Sequence, residues 1–274
     1  MGRHRLRGID AKLDRADKQL EGLQAEWHAF LNRDQPAHGV LFKHNAEASF
    51  YLPTFQVYEE PPLELSVICG EIIYNLRSAL DHLAAELVEA HGSRPIRRVA
   101  FPISLDETDW IRRVHFPKNA AGKPVRGLLH GLPKTSDAWA YIQATQPYQR
   151  GNKAADHPLA ELNQLSNRDK HRVVGTLYVY PGLDVLSMFG WNSRAWFVSG
   201  LAKVDPGTPL KHDTELAWFH FQPGGPDPSM RVKRNIPYDI AFGDIEDDLN
   251  REGSLADLIA CVRRIRRDCV TWIG

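Results

Sequence analysis

Cysteine and methionine are scarce in this chain, three of each among 274 residues. Cys69, Cys261 and Cys269 fall in apolar helical patterns, with neither the spacing of metal ligands nor the density of a disulfide framework. A small stapled extracellular fold is thereby excluded, and a reducing cytoplasm is the expected compartment. Net charge is missing too: 34 Lys and Arg balance 34 Asp and Glu, so an RNA partner would have to be met by a local basic patch. No apolar run reaches the roughly 18 residues of a membrane span. The basic start Met-Gly-Arg-His-Arg-Leu-Arg leads into a charged amphipathic segment rather than an apolar leader core. The chain is expected to be neither exported nor membrane-spanning. Walker, dinucleotide and Gly-x-Ser-x-Gly fingerprints are also lacking, so no cofactor is implied.

What is present is strong helical patterning at both ends. Ile9, Leu13, Ala16, Leu20, Leu23 and Trp27 recur at helical spacing over residues 8–33. Pro61-Pro62 then sets up a long helix over 63–90, with Leu65, Cys69, Ile72, Leu76, Leu80, Leu83 and Leu87 on one narrow stripe. Residues 92–135 are rich in Gly and Pro and are expected to hold only short elements. Helices are predicted again over 135–146 and 157–172, and a last one over 253–272 carries Leu255, Leu258, Val262, Ile265 and Cys269.

Between these helices the hydrophobic period changes to two. From Val173 onward, TLYVY, LDVLSMF, AWFVSGLAKV, ELAWFHF and RVKRNIPYDIAF are separated by turn residues, which spells an antiparallel meander over 173–241. Residues 47–59, aromatic around Pro53, are read as one or two further strands. The expected fold is α+β: about five helices packed with an antiparallel sheet of about five to six strands, in a single intertwined domain over 1–274.

The most informative segment is Asn-Leu-Arg-Ser-Ala-Leu-Asp-His, residues 75–82. At about 100° per residue, Asn75, Arg77, Ser78, Asp81 and His82 share the arc opposite the leucine stripe. Arg77 and Asp81 stand at i,i+4 and could be an ordinary ion pair. Alternatively, Asp81 orients Arg77 or His82 for work on a phosphate, since guanidinium grips phosphate oxygens and imidazole moves protons near neutral pH.

Arg77 to His82 reads R-x-x-x-x-H and resembles the signature of the HEPN superfamily, helical proteins that include metal-independent ribonucleases. The resemblance implies His82 as general acid or base on a ribose hydroxyl, Arg77 as the cation stabilising the phosphorane, and a homodimer that brings two motifs together. Comparable spacings run from Arg33 to His38 and from Arg150 to His157. The former leaves a helix through Pro36 and the latter crosses Gly151 in a loop, so only Arg77–His82 lies within a strong helix.

A second polar run, residues 163–172, ends the next helix. Asn167, Asp169, Lys170, His171 and Arg172 are expected either to form a solvated C-terminal turn or to meet the first cluster in space. NLRSALDHL together with NRDKHR also resembles a group of uncharacterised bacterial proteins that share FPI at 101–103 and QPY at 146–148. The first helix loosely resembles DinB-like metal-binding bundles, but no H-x-x-x-H pair puts two ligands on one face, and no metal ligand is assigned. Arg263, Arg264, Arg266 and Arg267 form a basic run that could hold an RNA backbone or be a solvated face. The function expected is therefore HEPN-like RNA cleavage or binding, as in a toxin or phage-defence component. The alternatives are a non-enzymatic interaction module whose polar clusters are structural, and a metal-binding bundle.

Overall fold

The computed structural model describes residues 6–35, 37–45, 50–94, 98–115, 118, 121–123, 125–171, 176–181, 189–191, 197–205, 210–221, 230–232, 238–243 and 255–273. The expected α+β class is what they form. Six α-helices are described: α1 (Arg7–Leu31), α2 (Leu63–Ala90), α3 (Glu107–Trp110), α4 (Asp137–Ala144), α5 (Pro158–His171) and α6 (Leu255–Cys269). A π-helical turn, Ile111–His115, continues α3, and 3₁₀ segments cover Pro147–Lys153 and Val270–Trp272. None of the described helices is long and apolar enough to cross a membrane.

The chain divides into two compact units, and each is discontinuous in sequence. One is helical and gathers residues 1–23, 67–174 and 251–274; the other gathers 24–66 and 175–250.

In the helical unit the predicted stripes are the core. Cys69, Ile72, Leu76, Leu80, Leu83 and Leu87 of α2 are all fully buried, as are Leu258, Val262, Ile265 and Cys269 of α6. Each such aliphatic side chain contributes roughly 1.5–3 kcal/mol by leaving water. Burial pushes the Cys69 and Cys269 thiols up to about 12, so both are protonated packing groups. The short helices are placed by their caps. Asp106 accepts from Asp109 N at 2.7 Å to start α3, and Ser136 Oγ accepts from Trp139 N at 3.2 Å to start α4.

The second unit holds the strands. The chain runs through β1 (His38–Asn45), β2 (Phe50–Val57), β3 (Thr176–Pro181), β4 (Phe189–Trp191), β5 (Phe197–Ala202), β6 (Thr214–Glu215), β7 (Ala217–Phe221), β8 (Met230–Val232) and β9 (Tyr238–Gly243). The main sheet has the order β1-β2-β7-β5, with β6 also on β2, and all pairs are antiparallel. β1 escaped the sequence reading, because HGVLFKHN lacks strict alternation; it is seen only through its full-length pairing with β2. Pro53 sits inside β2 opposite Phe42, at the point where β6 gives way to β7 and Leu216 N donates to Pro53 O at 2.9 Å. A proline lacking its N–H is tolerated where the ladder is already interrupted.

The expected meander is corrected. Among the described strands after Val173, β5 pairs β7, β4 pairs β8 and β3 pairs β9, one pairing nested inside the next, instead of each pairing its neighbour in sequence. Turn residues between strands mark where the chain bends, but they do not say which strand it returns to.

One close backbone approach shapes the helical unit. A Cβ on Gly127 would stand 2.6 Å from Val114 O of the π turn, while the neighbouring Leu128 N donates to Arg113 O at 3.2 Å. Gly127→Ala is therefore expected to lower unfolding stability by about 1–3 kcal/mol in urea titration. Gly22→Ala in α1, where a Cβ meets nothing within 4 Å, should instead raise it by about 0.5–1 kcal/mol.

Candidate functional site

The polar arc of α2 forms opposite the buried stripe, as its periodicity predicts. Its members have separate partners. Arg77 Nη2 donates to Phe101 O at 2.8 Å and lies 2.9 Å from Asp81 Oδ1, and Phe101 N donates to that same Asp81 oxygen at 3.0 Å. The i,i+4 pair thus clamps both backbone groups of Phe101, the first residue of the FPI segment. Only 13% of the Arg77 side chain is exposed, against 35% for Asp81. Burial lowers the Arg77 pKa, Asp81 pulls it back up and the neighbouring Arg113 lowers it again. Arg77 Nη1 is buried with no hydrogen-bond partner among the described residues, so no open path leads to it for a substrate oxygen.

His82 is exposed. Five helical positions place it about 140° around and about 7.5 Å along α2 from Arg77. The two residues of the HEPN-like motif therefore do not face one point on this helix. Asn75 donates through Nδ2 to Gln19 Oε1 at 3.0 Å, and Gln19 in turn donates to Glu71. Ser78 is half-buried.

The second cluster reaches α2, but at the other end. Asp169 Oδ1 lies 2.6 Å from where a Gly70 Cβ would stand. Gly70 precedes Arg77 by about 10 Å and His82 by about 18 Å along the helix. Asn167 is exposed. Lys170 and His171 occupy the last turn of α5, but their side chains, like all of Arg172, lie outside the described residues. The residue of that run found near the clamp is Asn163. It lines a cleft of about 380 Å³ with Ile103, Asp106, Asp109, Arg112 and Arg113.

That cleft was not anticipated. Arg113 Nη1 donates to Ile103 O at 2.9 Å and lies 3.3 Å from Asp109, which also accepts from Arg112 at 2.7 Å. Burial pulls the Asp109 carboxyl up, but hydrogen bonds from Arg112 and Arg113 and the charge of Arg113 hold it below its ordinary value. The i,i+3 and i,i+4 spacing of Asp109, Arg112 and Arg113 was a readable signal for this network. Its charges neutralise one another, leaving no excess for an anionic ligand.

The basic run on α6 is largely consumed in the same way. Arg263 bonds Asp14 at 3.0 Å and Asp17, Arg266 bonds Asp10 at 2.7 Å, and Arg267 bonds Asp268 at 3.1 Å. Arg264 is exposed and has no carboxylate within ion-pair distance among the described residues. No three His, Cys, Asp or Glu side chains among the described residues gather as a metal ion would require. No family model, curated protein or solved structure matches the chain.

Two other histidines are strongly perturbed. His38 stacks on Phe55 at 5.4 Å, and burial together with the charge of Arg33 pushes its pKa down to about 4. His157 is buried beside Arg150 and Arg264, and burial followed by those two charges also takes it to about 4. Both titrate at 6.5 when unperturbed. Between those values the unfolded chain binds protons that the folded chain refuses, so stability is expected to fall as pH drops from 6.5 towards 4. Urea midpoints measured across that range should show the slope. His38→Phe, which keeps a ring against Phe55, should flatten it, and an unchanged slope would remove His38 as a cause.

Proposed function

We propose that the helical unit is a non-enzymatic interaction module and that the Arg77–Asp81 pair belongs to its frame. The observation that carries this reading is the commitment of Arg77: its Nη2 is shared between Phe101 O and Asp81 in a mostly buried setting. A phosphorane-stabilising arginine must present unshared donors to the reacting group, whereas here the free donor Nη1 is enclosed. The face such a module offers is the solvent side of α2, where Val67 and Tyr74 fall within about 20° of arc and are 43% and 62% exposed. A second copy of the chain is the occupant that the HEPN-like resemblance suggests.

RNA cleavage is the competing reading. It is favoured by the exposure of His82, which leaves that imidazole open to a substrate. A toxin or phage-defence role rests on that reading and on the homodimer it implies.

Incubation of the purified protein with total RNA, with and without chelator, separates the two. The module reading expects no cleavage by wild type, His82→Ala or Arg77→Ala. It also expects Arg77→Ala to lose about 2–3 kcal/mol of stability, because Asp81 and Phe101 O lose their donor. His82→Ala should stay within about 0.5 kcal/mol of wild type. Chelator-resistant cleavage lost in both variants would overturn the module and establish the ribonuclease; chelator-sensitive cleavage would point to a metal-binding bundle.

A further inference from the structure

The spacing from Arg150 to His157 crosses a loop, and for that reason its two ends can meet. Gly151 interrupts the Pro147–Lys153 3₁₀ segment with φ 60° and ψ −123°, a conformation that turns the chain and that a Cβ would strain. His157 then stands just ahead of α5, where its Nδ1 accepts from Leu159 N at 3.0 Å. Arg150 and His157 end on one cleft of about 250 Å³, whose other wall is supplied by Arg264, Cys261 and Ile265 of α6.

Among the described residues, the charge of this cleft differs from that of the other arginine clusters described above. Asp106 and Asp109 balance Arg112 and Arg113 in their cleft, with Asp109 bonded to both, Asp81 pairs with Arg77, and the acids of α1 pair with Arg263 and Arg266. No carboxylate lines the Arg150–Arg264 cleft. Among the described residues Arg150 has no ion-pair partner, and the one hydrogen bond of the Arg264 guanidinium is a long one to Cys261 Sγ at 3.9 Å. Asp268 feels the charge of Arg264 only weakly, and it is already engaged by Tyr141 Oη at 2.8 Å and Arg267 at 3.1 Å.

The tautomer of His157 adds a directed donor. With Nδ1 accepting a backbone N–H, the neutral ring carries its proton on Nε2, and Nε2 finds no acceptor among the described residues. The other polar lining groups are occupied by the backbone: Gln149 Nε2 donates to Gln143 O, and the Gln146 amide spans Ile142 O and Ser104 N. Two guanidiniums and one imidazole N–H therefore line an apolar-floored cleft with no counter-charge.

We propose that this cleft binds the phosphate group of a small phosphorylated molecule, held by the Arg150 and Arg264 guanidiniums with His157 Nε2–H as the third donor. Guanidinium forks match phosphate oxygens, and three donors suit a group with three terminal oxygens. The volume admits a phosphate with a few carbon atoms, which would rest on Ile265 and the Cys261 side chain. Burial first, and then the charges of Arg150 and Arg264, depress the His157 pKa. A bound anion would cancel those charges and raise it.

Calorimetric titration of the full chain at constant ionic strength tests the assignment, with inorganic phosphate and glycerol 3-phosphate as probes and chloride and acetate as controls. Saturable binding of at least one phosphate is expected, weakened about tenfold or more in both Arg150→Gln and Arg264→Gln. Both arginines are exposed, so the variants should unfold at the wild-type urea midpoint. Binding to phosphate alone marks the free ion as the ligand, and tighter binding of the ester marks a phosphorylated metabolite. In the NMR titration, the ring signal that disappears in His157→Gln should move to a higher pKa when the wild-type chain is saturated with phosphate. Heats no larger than with chloride, equal binding of acetate, binding unaffected by both arginine variants, or affinity for an RNA oligonucleotide without affinity for either small phosphate would each overturn the proposal.

Discussion

A guanidinium withdrawn from water has to recover its hydrogen bonds or destabilise whatever buried it. In the helical unit Arg77 recovers part of them, all through Nη2, from Asp81, one turn on, and from the carbonyl of Phe101, while its buried Nη1 has no partner among the described residues. Because Asp81 also accepts from Phe101 N, a residue in a connection without regular structure has both its backbone groups satisfied by one helix face. The placement of Ile103, Ser104 and the short helix that follows depends on that anchor. Arg113 and Gln146 then extend it by bonding Ile103 O and Ser104 N. These polar contacts fix the long Gly- and Pro-rich stretch alongside the burial of its own Phe101, Ile103, Trp110, Val114, Leu129 and Leu132.

The helices were legible because their stripes are long and regular: α2 begins and ends where the periodicity placed it, and α6 differs by a few residues. The polar arc was legible as an arc. Its chemistry was not, because spacing along a helix fixes angle and rise but says nothing about which loop lies on top. Arg77 and His82 look like a pair in one dimension and diverge by about 140° in three. Arg150 and His157, set aside because a glycine intervenes, share a cleft because of that glycine. The carboxylates that pair Arg263 and Arg266 of α6 come from α1, at the far end of the chain, and no local pattern announces them.

Electrostatic balance in this chain is local as well as global. Asp and Glu side chains sit directly on most of the arginines that burial brings together, so the near-zero net charge is not an average over separate basic and acidic faces. Against that background an uncompensated pair of guanidiniums stands out in a way that it would not on a basic protein. The same contrast separates the histidines: His82 lies in solvent, while His38 and His157 are held neutral by burial beside arginine.

The nested strand pairing determines the order in which contacts become affordable to the folding chain. Once β5 meets β7, the segment that β4 and β8 must close is already shortened by the inner ladder, and their pairing shortens the closure left to β3 and β9. Each step is then a short closure, although Thr176 and Gly243 are distant in sequence. Contact order computed from the finished structure overstates the search the chain has to make, because the outermost contacts inherit their proximity from the inner ones. A change that loosens the β5–β7 ladder would therefore be felt most at β3 and β9, the strands farthest from it in the nest.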